Sequence, residues 1–302
     1  MKSIAFLLHA LSPLHVGTGQ SVEVIDLPIA RMRSTGMPIV PGSSIRGVLR
    51  YVRGPSTKEE PRIARVFGPE SSDDDGFAGA LTVGDARLLA LPVRSFRGTF
   101  AWVSSPLLLG LAARDLLEAG FIVPSIPHPG EKDAAVTPGS QNLHQERVYL
   151  EDLDLVGQKS AEVDAWAKLL GPVVAPEGNL ELFTRRFLVV HDEIMTFLWE
   201  TATQVDARIR LNPATRTVAK GALWYEESLP PETLLIGLMS AAGSFKPGDR
   251  PSGGGRGEGA MSAQEVIDFA LPAAEQILQF GGKAGTGRGR CRVARLNGGG
   301  AA

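Results

Sequence analysis

Glycine and proline punctuate this chain so often that no long uninterrupted helix or strand can be written through it. With 35 glycines and 21 prolines in 302 residues, its regular elements must be short and joined by irregular connections, which is where function tends to reside. The length still suffices to bury a real core in one elaborated unit spanning 1–302. A chain 43% hydrophobic and 21% charged is globular in composition.

Cys291 is the single cysteine, so there is no internal disulfide framework and no thiolate metal site, and a reducing cytoplasmic setting is expected. The stretch from Met1 to Gly17 superficially suggests a signal peptide, but His9 and His15 interrupt it, and its length suits a buried first strand followed by a loop. Nowhere does an apolar run approach the ~20 residues of a membrane span, so no membrane partner is expected.

The net charge of −2 excludes a protein that coats nucleic acid through its overall charge, so any RNA binding must come from a local face. Arginine outnumbers lysine 23 to 8. Its planar fork suits phosphates, although genomic base composition would produce the same bias.

Ile4 to Leu11 reads as a buried strand stopped by Ser12-Pro13. A long loop with His15, Gly17, Gly19 and Asp26 follows, leading to Pro41-Gly42-Ser43-Ser44. The serine pair reads as the N-cap of a helix whose apolar stripe is Ile45, Val48, Leu49 and Val52. Arg46, Arg50 and Arg53 adjoin that stripe with no interleaved acid. This is either an ordinary solvated charged face or, beside a Gly-Ser helix start, a phosphate-binding one.

Phe77 to Val93 reads as a strand pair or bent strand, with a bulge at Gly84-Asp85 and a structural role for Asp85. Phe100 to Val103 is a further strand, and Ser105-Pro106 opens a helix to Leu117. Together these predict a β-α-β-β-α order. The segment from about 120 to 180 changes character and is predicted to be an insertion. Phe187–Val190 is a strand, Asp192–Ala202 a helix, and Val205–Leu211 and Val218–Trp224 are strands turned by Asn212 to Thr215. A Gly/Ser/Pro-rich loop at about 243–262 is expected to be mobile on the surface, and Asp73-Asp74-Asp75 to be a solvated acidic loop. A helix over Ala263–Phe280 is predicted to lead through a glycine loop, Gly281 to Arg290, into a strand at Cys291 and Val293, closing a ferredoxin-like half.

The glycine loop fails as a nucleotide motif. Gly282 and Gly287 have P-loop separation, but Arg288 stands where Lys is needed and Gly289 where Ser or Thr is needed. Its place before a strand is also the reverse of the strand-to-helix order that such motifs use. What remains is either a tight connection or a flexible turn whose exposed N–H groups and cations, Lys283, Arg288 and Arg290, can follow a phosphodiester chain.

The runs Pro13-Leu14-His15-Val16-Gly17-Thr18-Gly19, Asp26-Leu27-Pro28-Ile29 and Pro41-Gly42-Ser43-Ser44-Ile45-Arg46-Gly47 resemble the RAMP superfamily. So do Ala86-Arg87-Leu88-Leu89 with Pro92-Val93-Arg94-Ser95, Leu223-Trp224-Tyr225-Glu226-Glu227 with Leu229-Pro230-Pro231-Glu232-Thr233, and the terminal glycine loop. The likeness spans nearly the whole chain and is specifically to backbone subunits of type III-B CRISPR (Cmr) complexes.

The resemblance implies an α+β fold, a ferredoxin-like, RRM-like palm with long insertions including a thumb, for which the 120–180 segment is a candidate. It implies crRNA and complementary target RNA as partners, with copies of the chain stacked head to tail beside other Cmr-type subunits. It implies target cleavage by an endoribonuclease whose cutting aspartate matches Asp26; on physical grounds that carboxylate either holds a divalent cation, Mg2+, kept largely by the RNA itself, or positions the 2′-hydroxyl as a base. Read on residues alone, Asp26 is a turn or cap aspartate. His15 is a structural histidine or a proton shuttle, and Tyr225, Glu226 and Glu227 lie near the cleft or serve subunit contacts. Guide RNA is expected along Ser43, Ser44, Arg46 and Arg50 and along Gly282, Lys283, Gly285, Thr286, Gly287, Arg288 and Arg290, which supply N–H groups and cations without reading sequence. A non-cleaving RNA-binding scaffold, or a backbone subunit of a related type III complex, is the alternative.

Overall fold

In the computed structural model the described residues are 1–19, 25–55, 60–69, 76–175, 178–244, 257, 259–272 and 274–296. The Asp73-Asp74-Asp75 run and most of the loop at about 243–262 lie outside them. The first third of the chain gives β1 (Lys2–Ala10), β2 (Ile39–Val40), α1 (Gly42–Arg53), α2 (Arg62–Phe67), β3 (Leu81–Val83), β4 (Ala86–Ser95), β5 (Thr99–Ser104) and α3 (Pro106–Glu118). The middle gives β6 (Asp133–Val136), β7 (Arg147–Leu150), β8 (Leu153–Lys159), α4 (Ala161–Val174), α5 (Leu180–Thr184), β9 (Phe187–Val190) and α6 (Asp192–Thr201). The last third gives β10 (Gln204–Leu211), β11 (Val218–Ser228), β12 (Leu234–Ala241), α7 (Ala263–Ala270), β13 (Gln276–Gln279) and β14 (Arg290–Arg295). Among the described residues no helix is long and apolar enough to cross a membrane.

The fold is mixed α+β. β1 is apolar on both faces because both are covered. Phe6, Leu8 and Ala10 enter a core with α1, α2 and α7, while Ala5 and Leu7 enter a second core with α3, α4 and α5. Each such Leu or Phe contributes about 1.5–3 kcal/mol by leaving water. β1 pairs antiparallel with β12 and β14, and β12 with β4, giving the order β13-β14-β1-β12-β4. Phe6 lies opposite Gly237, where a Cβ would sit 2.6 Å from the Phe6 ring, so β12 needs glycine there.

β4 also begins a closed ring, β4-β5-β9-β6-β8-β7, which returns to β4 through the Ser95–Leu150 pair. The segment from about 120 to 180 supplies three strands of this six-stranded barrel and α4, whose Trp166 is fully buried. Outside both assemblies stands the β10–β11 ribbon, a separate two-stranded sheet. One face carries Val205, Ile209, Leu211, Val218, Leu223 and Tyr225, all between 42% and 56% exposed.

Two local expectations are corrected. α7 ends at Ala270 rather than Phe280, since Pro272 cannot donate into a continuing helix, and Gln276–Gln279 instead pair with β14. The glycine loop therefore joins two strands of a hairpin, not a helix to a strand. α1 starts at Gly42, so Ser43 and Ser44 lie inside its first turn and no side chain caps it. Gly42 is demanded by contact, because a Cβ there would lie 2.3 Å from the Val83 carbonyl oxygen, and its N–H donates to Asp85 Oδ1 at 2.8 Å. The signals at Ser105-Pro106 do open α3, with Ser105 Oγ accepting from the Leu108 N–H.

Candidate functional site

Three segments distant in sequence meet at the C-terminal end of β1. The loop after β1 lies along β11: Leu14 and Leu229 exchange backbone hydrogen bonds, the Leu27 N–H donates to the Tyr225 carbonyl at 3.1 Å, and the Glu227 N–H donates to the Leu27 carbonyl at 3.0 Å. The glycine loop closes on the other side, with Gly282 N–H donating to the His15 carbonyl at 3.0 Å and Gly289 N–H to the Pro13 carbonyl at 2.8 Å. Its glycines make this approach possible. Gly281 and Gly289 have φ of +68° and +80°, and a Cβ would lie 2.1 Å from the His15 oxygen or 1.9 Å from the Phe280 oxygen.

Asp26 is half-buried in this junction, and its Oδ2 accepts the Tyr225 backbone N–H at 2.8 Å. Its other oxygen has no protein donor among the described residues. His15 is buried, with Nδ1 2.6 Å from the Glu227 carbonyl oxygen. A carbonyl only accepts, so Nδ1 carries the proton. Tyr225 exposes its side chain and contributes its backbone to the Asp26 loop.

Glu226 and Glu227 are both 2% exposed and both engaged. Glu227 accepts from Arg31 Nη2 at 2.5 Å, Thr203 Oγ1 at 2.9 Å and the Ile29 N–H at 3.0 Å. Glu226 accepts from Trp224 Nε1 at 2.7 Å and Lys283 Nζ at 2.8 Å, with Arg208 Nε at 3.5 Å. Burial pushes the Glu226 carboxyl up, but Lys283, Trp224 and Arg208 more than offset this and hold it below the usual carboxylate range.

The arginines expected to reach for RNA are in part turned inward. Arg288 is 3% exposed and bonds Asp206 and Ser228, fastening the glycine loop to the ribbon. Arg46 donates to the Phe67 carbonyl, and Arg50 donates to the Phe67 and Gly68 carbonyls at 3.3 and 3.0 Å, so both cover the C-terminal end of α2. Helical spacing showed that these arginines share a face but not what that face meets. Gly282, Lys283, Gly285, Thr286, Gly287 and Arg290 lie on the exposed side of the loop, and Ser43 is exposed with Ser44 half-buried at the start of α1. Arg31, Thr203, Asp206 and Arg208 complete the site, and no local motif in the sequence announces them.

The donor set does not make a protein-held cation site. Among the described residues Asp26 is the only site carboxylate with an oxygen not engaged by protein, and no three His, Cys, Asp or Glu side chains are grouped to hold a metal. What the arrangement offers is one positioned carboxylate on the Tyr225 N–H, a buried imidazole on the nearby Glu227 carbonyl, and a loop of N–H groups with cations at its edge.

Residues 7–292 match the family model of the RAMP superfamily. The chain is 34% identical over 255 residues, 82% of its length and 85% of the relative's, to the CRISPR system Cmr endoribonuclease Cmr4 of Pyrococcus furiosus. The structure is similar to the crystal structure of oligomeric Cmr4 from Pyrococcus furiosus, at 27% identity, TM-score 0.69 and 98% coverage of both chains. It also shares its fold with a chain of a type III-B Cmr-beta complex bound to cognate target RNA, at 21% identity, TM-score 0.69 and 98% coverage of both.

Proposed function

Because the chain belongs to the RAMP superfamily, we propose that it is the repeating backbone subunit of a type III-B CRISPR ribonucleoprotein, an endoribonuclease that grips crRNA and cuts the complementary target RNA at regular intervals. The observation that carries this reading is the Asp26 carboxylate, fixed by one oxygen to the Tyr225 N–H with its other oxygen unclaimed among the described residues.

The strand order β14-β1-β12-β4, with α1 between β1 and β4 and α7 between β12 and β14, supports a ferredoxin-like palm. The exposed apolar face of the β10–β11 ribbon supports its use as the thumb that splays a target nucleotide out of the guide–target duplex. The Asp26 loop hangs on the root of that ribbon. A splayed nucleotide can bring its 2′-hydroxyl in line with its own phosphate. The 2′-oxygen attacks phosphorus, Asp26 accepts the hydroxyl proton, and the P–O5′ bond breaks as the 5′-oxygen takes a proton from water, leaving a 2′,3′-cyclic phosphate and a 5′-hydroxyl. His15 acts from behind, locking the loop to β11 through Glu227. Any Mg2+ that takes part is held chiefly by RNA phosphate oxygens.

The crRNA lies along Ser43, Ser44 and the exposed glycine loop with Lys283 and Arg290. Backbone-only contacts suit a guide whose spacer varies while base pairing selects the target. Further copies stack head to tail along the guide, next to other Cmr-type subunits in the cytoplasm.

The test is a complex reconstituted with wild-type or Asp26→Asn subunit and a labelled complementary RNA, with and without Mg2+. Evenly spaced cuts lost in the variant while RNA binding persists support the reading. Cutting that survives Asp26→Asn removes the assignment of the carboxylate. A second reading, a scaffold that binds without cutting, is favoured by the engagement of Glu226 and Glu227, which leaves Asp26 no unoccupied acidic neighbour among the described residues of the junction. Binding with no cuts by wild type would establish it.

A further inference from the structure

A cavity of about 630 Å³ opens between the C-terminal end of α1, α2 and α7, away from the Asp26 junction. It falls in the range of small-ligand sites, roughly 300–1,000 Å³. Three guanidinium groups line it, from Arg53, Arg62 and Arg65, together with the Phe269 ring. Arg62 stacks over that ring at 4.8 Å from its centroid and Arg53 approaches it at 5.9 Å. Arg65 is 8% exposed and lies under Gly259, whose backbone passes so close that a Cβ would be 3.0 Å from Nη2.

The anions on the cavity wall are already engaged. Glu265 Oε2 accepts the Ser262 N–H at 2.7 Å in the α7 cap, and Asp268 Oδ1 accepts from Arg295 at 2.6 Å and Gln264 at 2.7 Å. Outside the wall, Glu60 pairs with Arg62. Arg53 is left under-satisfied: its one bond, from Nη2 to the Ala270 carbonyl, is 3.4 Å long, and its buried Nε has no acceptor. A buried donor without a partner calls for an explanation.

We propose that this cavity binds a nucleotide, with the phosphate on the Arg53 side and the base against the layered Arg62 and Phe269 surface. An arginine fork matches a phosphate with two parallel donors, and a guanidinium plane held on an aromatic ring is a stacking platform for any base. The nucleotide is either free or part of an RNA strand. The inference does not rest on target cleavage, since the cavity shares no residue with the Asp26 junction.

The experiment titrates the full chain with AMP, with inorganic phosphate, and with a fluorescent single-stranded RNA, using wild type, Arg53→Gln, Arg62→Gln and Asp26→Asn. Saturable AMP binding weakened tenfold or more by Arg53→Gln and untouched by Asp26→Asn supports a free-nucleotide site. RNA binding weakened to that degree by Arg53→Gln without AMP binding supports an RNA phosphodiester as the occupant. Phosphate binding as tight as AMP removes the role of the base, and indifference of all three ligands to both arginine variants overturns the proposal. Arg62→Gln, outside α1, keeps the test decisive if Arg53→Gln unfolds.

Discussion

Asp26 is tied to Tyr225: its Oδ2 accepts the Tyr225 N–H at 2.8 Å across 199 residues of sequence. Because the donor is a backbone group, no substitution of Tyr225 other than proline removes it, and the carboxylate's position depends on the path of β11.

Asp26→Asn keeps the shape and an acceptor oxygen but removes the charge and, on the proposed mechanism, the base. Target cleavage by the reconstituted complex should fall by roughly a hundred- to ten-thousand-fold with RNA affinity within about twofold of wild type. Tyr225→Phe should leave the Asp26 tether intact. Single-turnover cleavage assays beside filter binding measure both.

Glu227 is buried with Arg31, Thr203 and the Ile29 N–H on its carboxylate. Glu227→Ala leaves the Arg31 charge without its partner and should cost about 3–5 kcal/mol. A denaturant titration reads the loss. A stability equal to wild type would mean that Arg31 finds another acceptor.

The Glu226 carboxyl is held below its ordinary range, so the folded state prefers it ionised. The stability from the Lys283 contact is then fully present above the unfolded-state pKa of a glutamate and is lost as pH falls through the lower, folded-state value. Hydrogen exchange of the Gly281–Gly289 amides, corrected for intrinsic rates, should show constant protection from pH 8 to 6 and weaker protection below pH 4. In Glu226→Gln that acid step should be absent.

Cys291 lies in β14 with no exposure, and burial pushes its thiol up to about 12. It should resist a thiol-specific reagent at pH 8 in the native protein and react at once in denaturant. Rapid native labelling would mean that β14 opens locally.

Arg288→Lys should destabilise almost as much as Arg288→Ala, because an ammonium cannot reproduce the simultaneous contacts to Asp206 and Ser228. Melting temperatures of the two variants decide it, and full rescue by Lys would show that charge alone suffices.

The elements with local signals were legible. β1 is an apolar run closed by Ser-Pro, α3 carries its cap and first-turn proline, and the two strands of the ribbon flank a recognisable turn. The motifs around His15, Asp26 and Tyr225 to Glu227 were also visible, and the structure gathers them at one place. What local pattern does not carry is pairing at long range. β12 lies between β1 and β4 although more than 200 residues separate it from β1, and nothing in Leu234–Ala241 states its neighbours. A short apolar run after α7 fits helix and strand alike until the partner is known, which is why Gln276–Gln279 were read as helix. The inward turn of Arg46, Arg50 and Arg288 was hidden for the same reason, since their acceptors are carbonyls and carboxylates from other elements.

The ladder between the Asp26 loop and the root of the β10–β11 ribbon has a mechanical consequence. Leu27 both donates to Tyr225 and accepts from Glu227, so a tilt of the ribbon base carries the carboxylate with it. If the ribbon is the wedge that parts the duplex, wedge and blade share one mounting, and the offset between the parted nucleotide and the severed bond is machined into each copy. The distance from one cut to the next is then a property of how copies stack, which makes an array of this chain a ruler whose graduations are its own subunits.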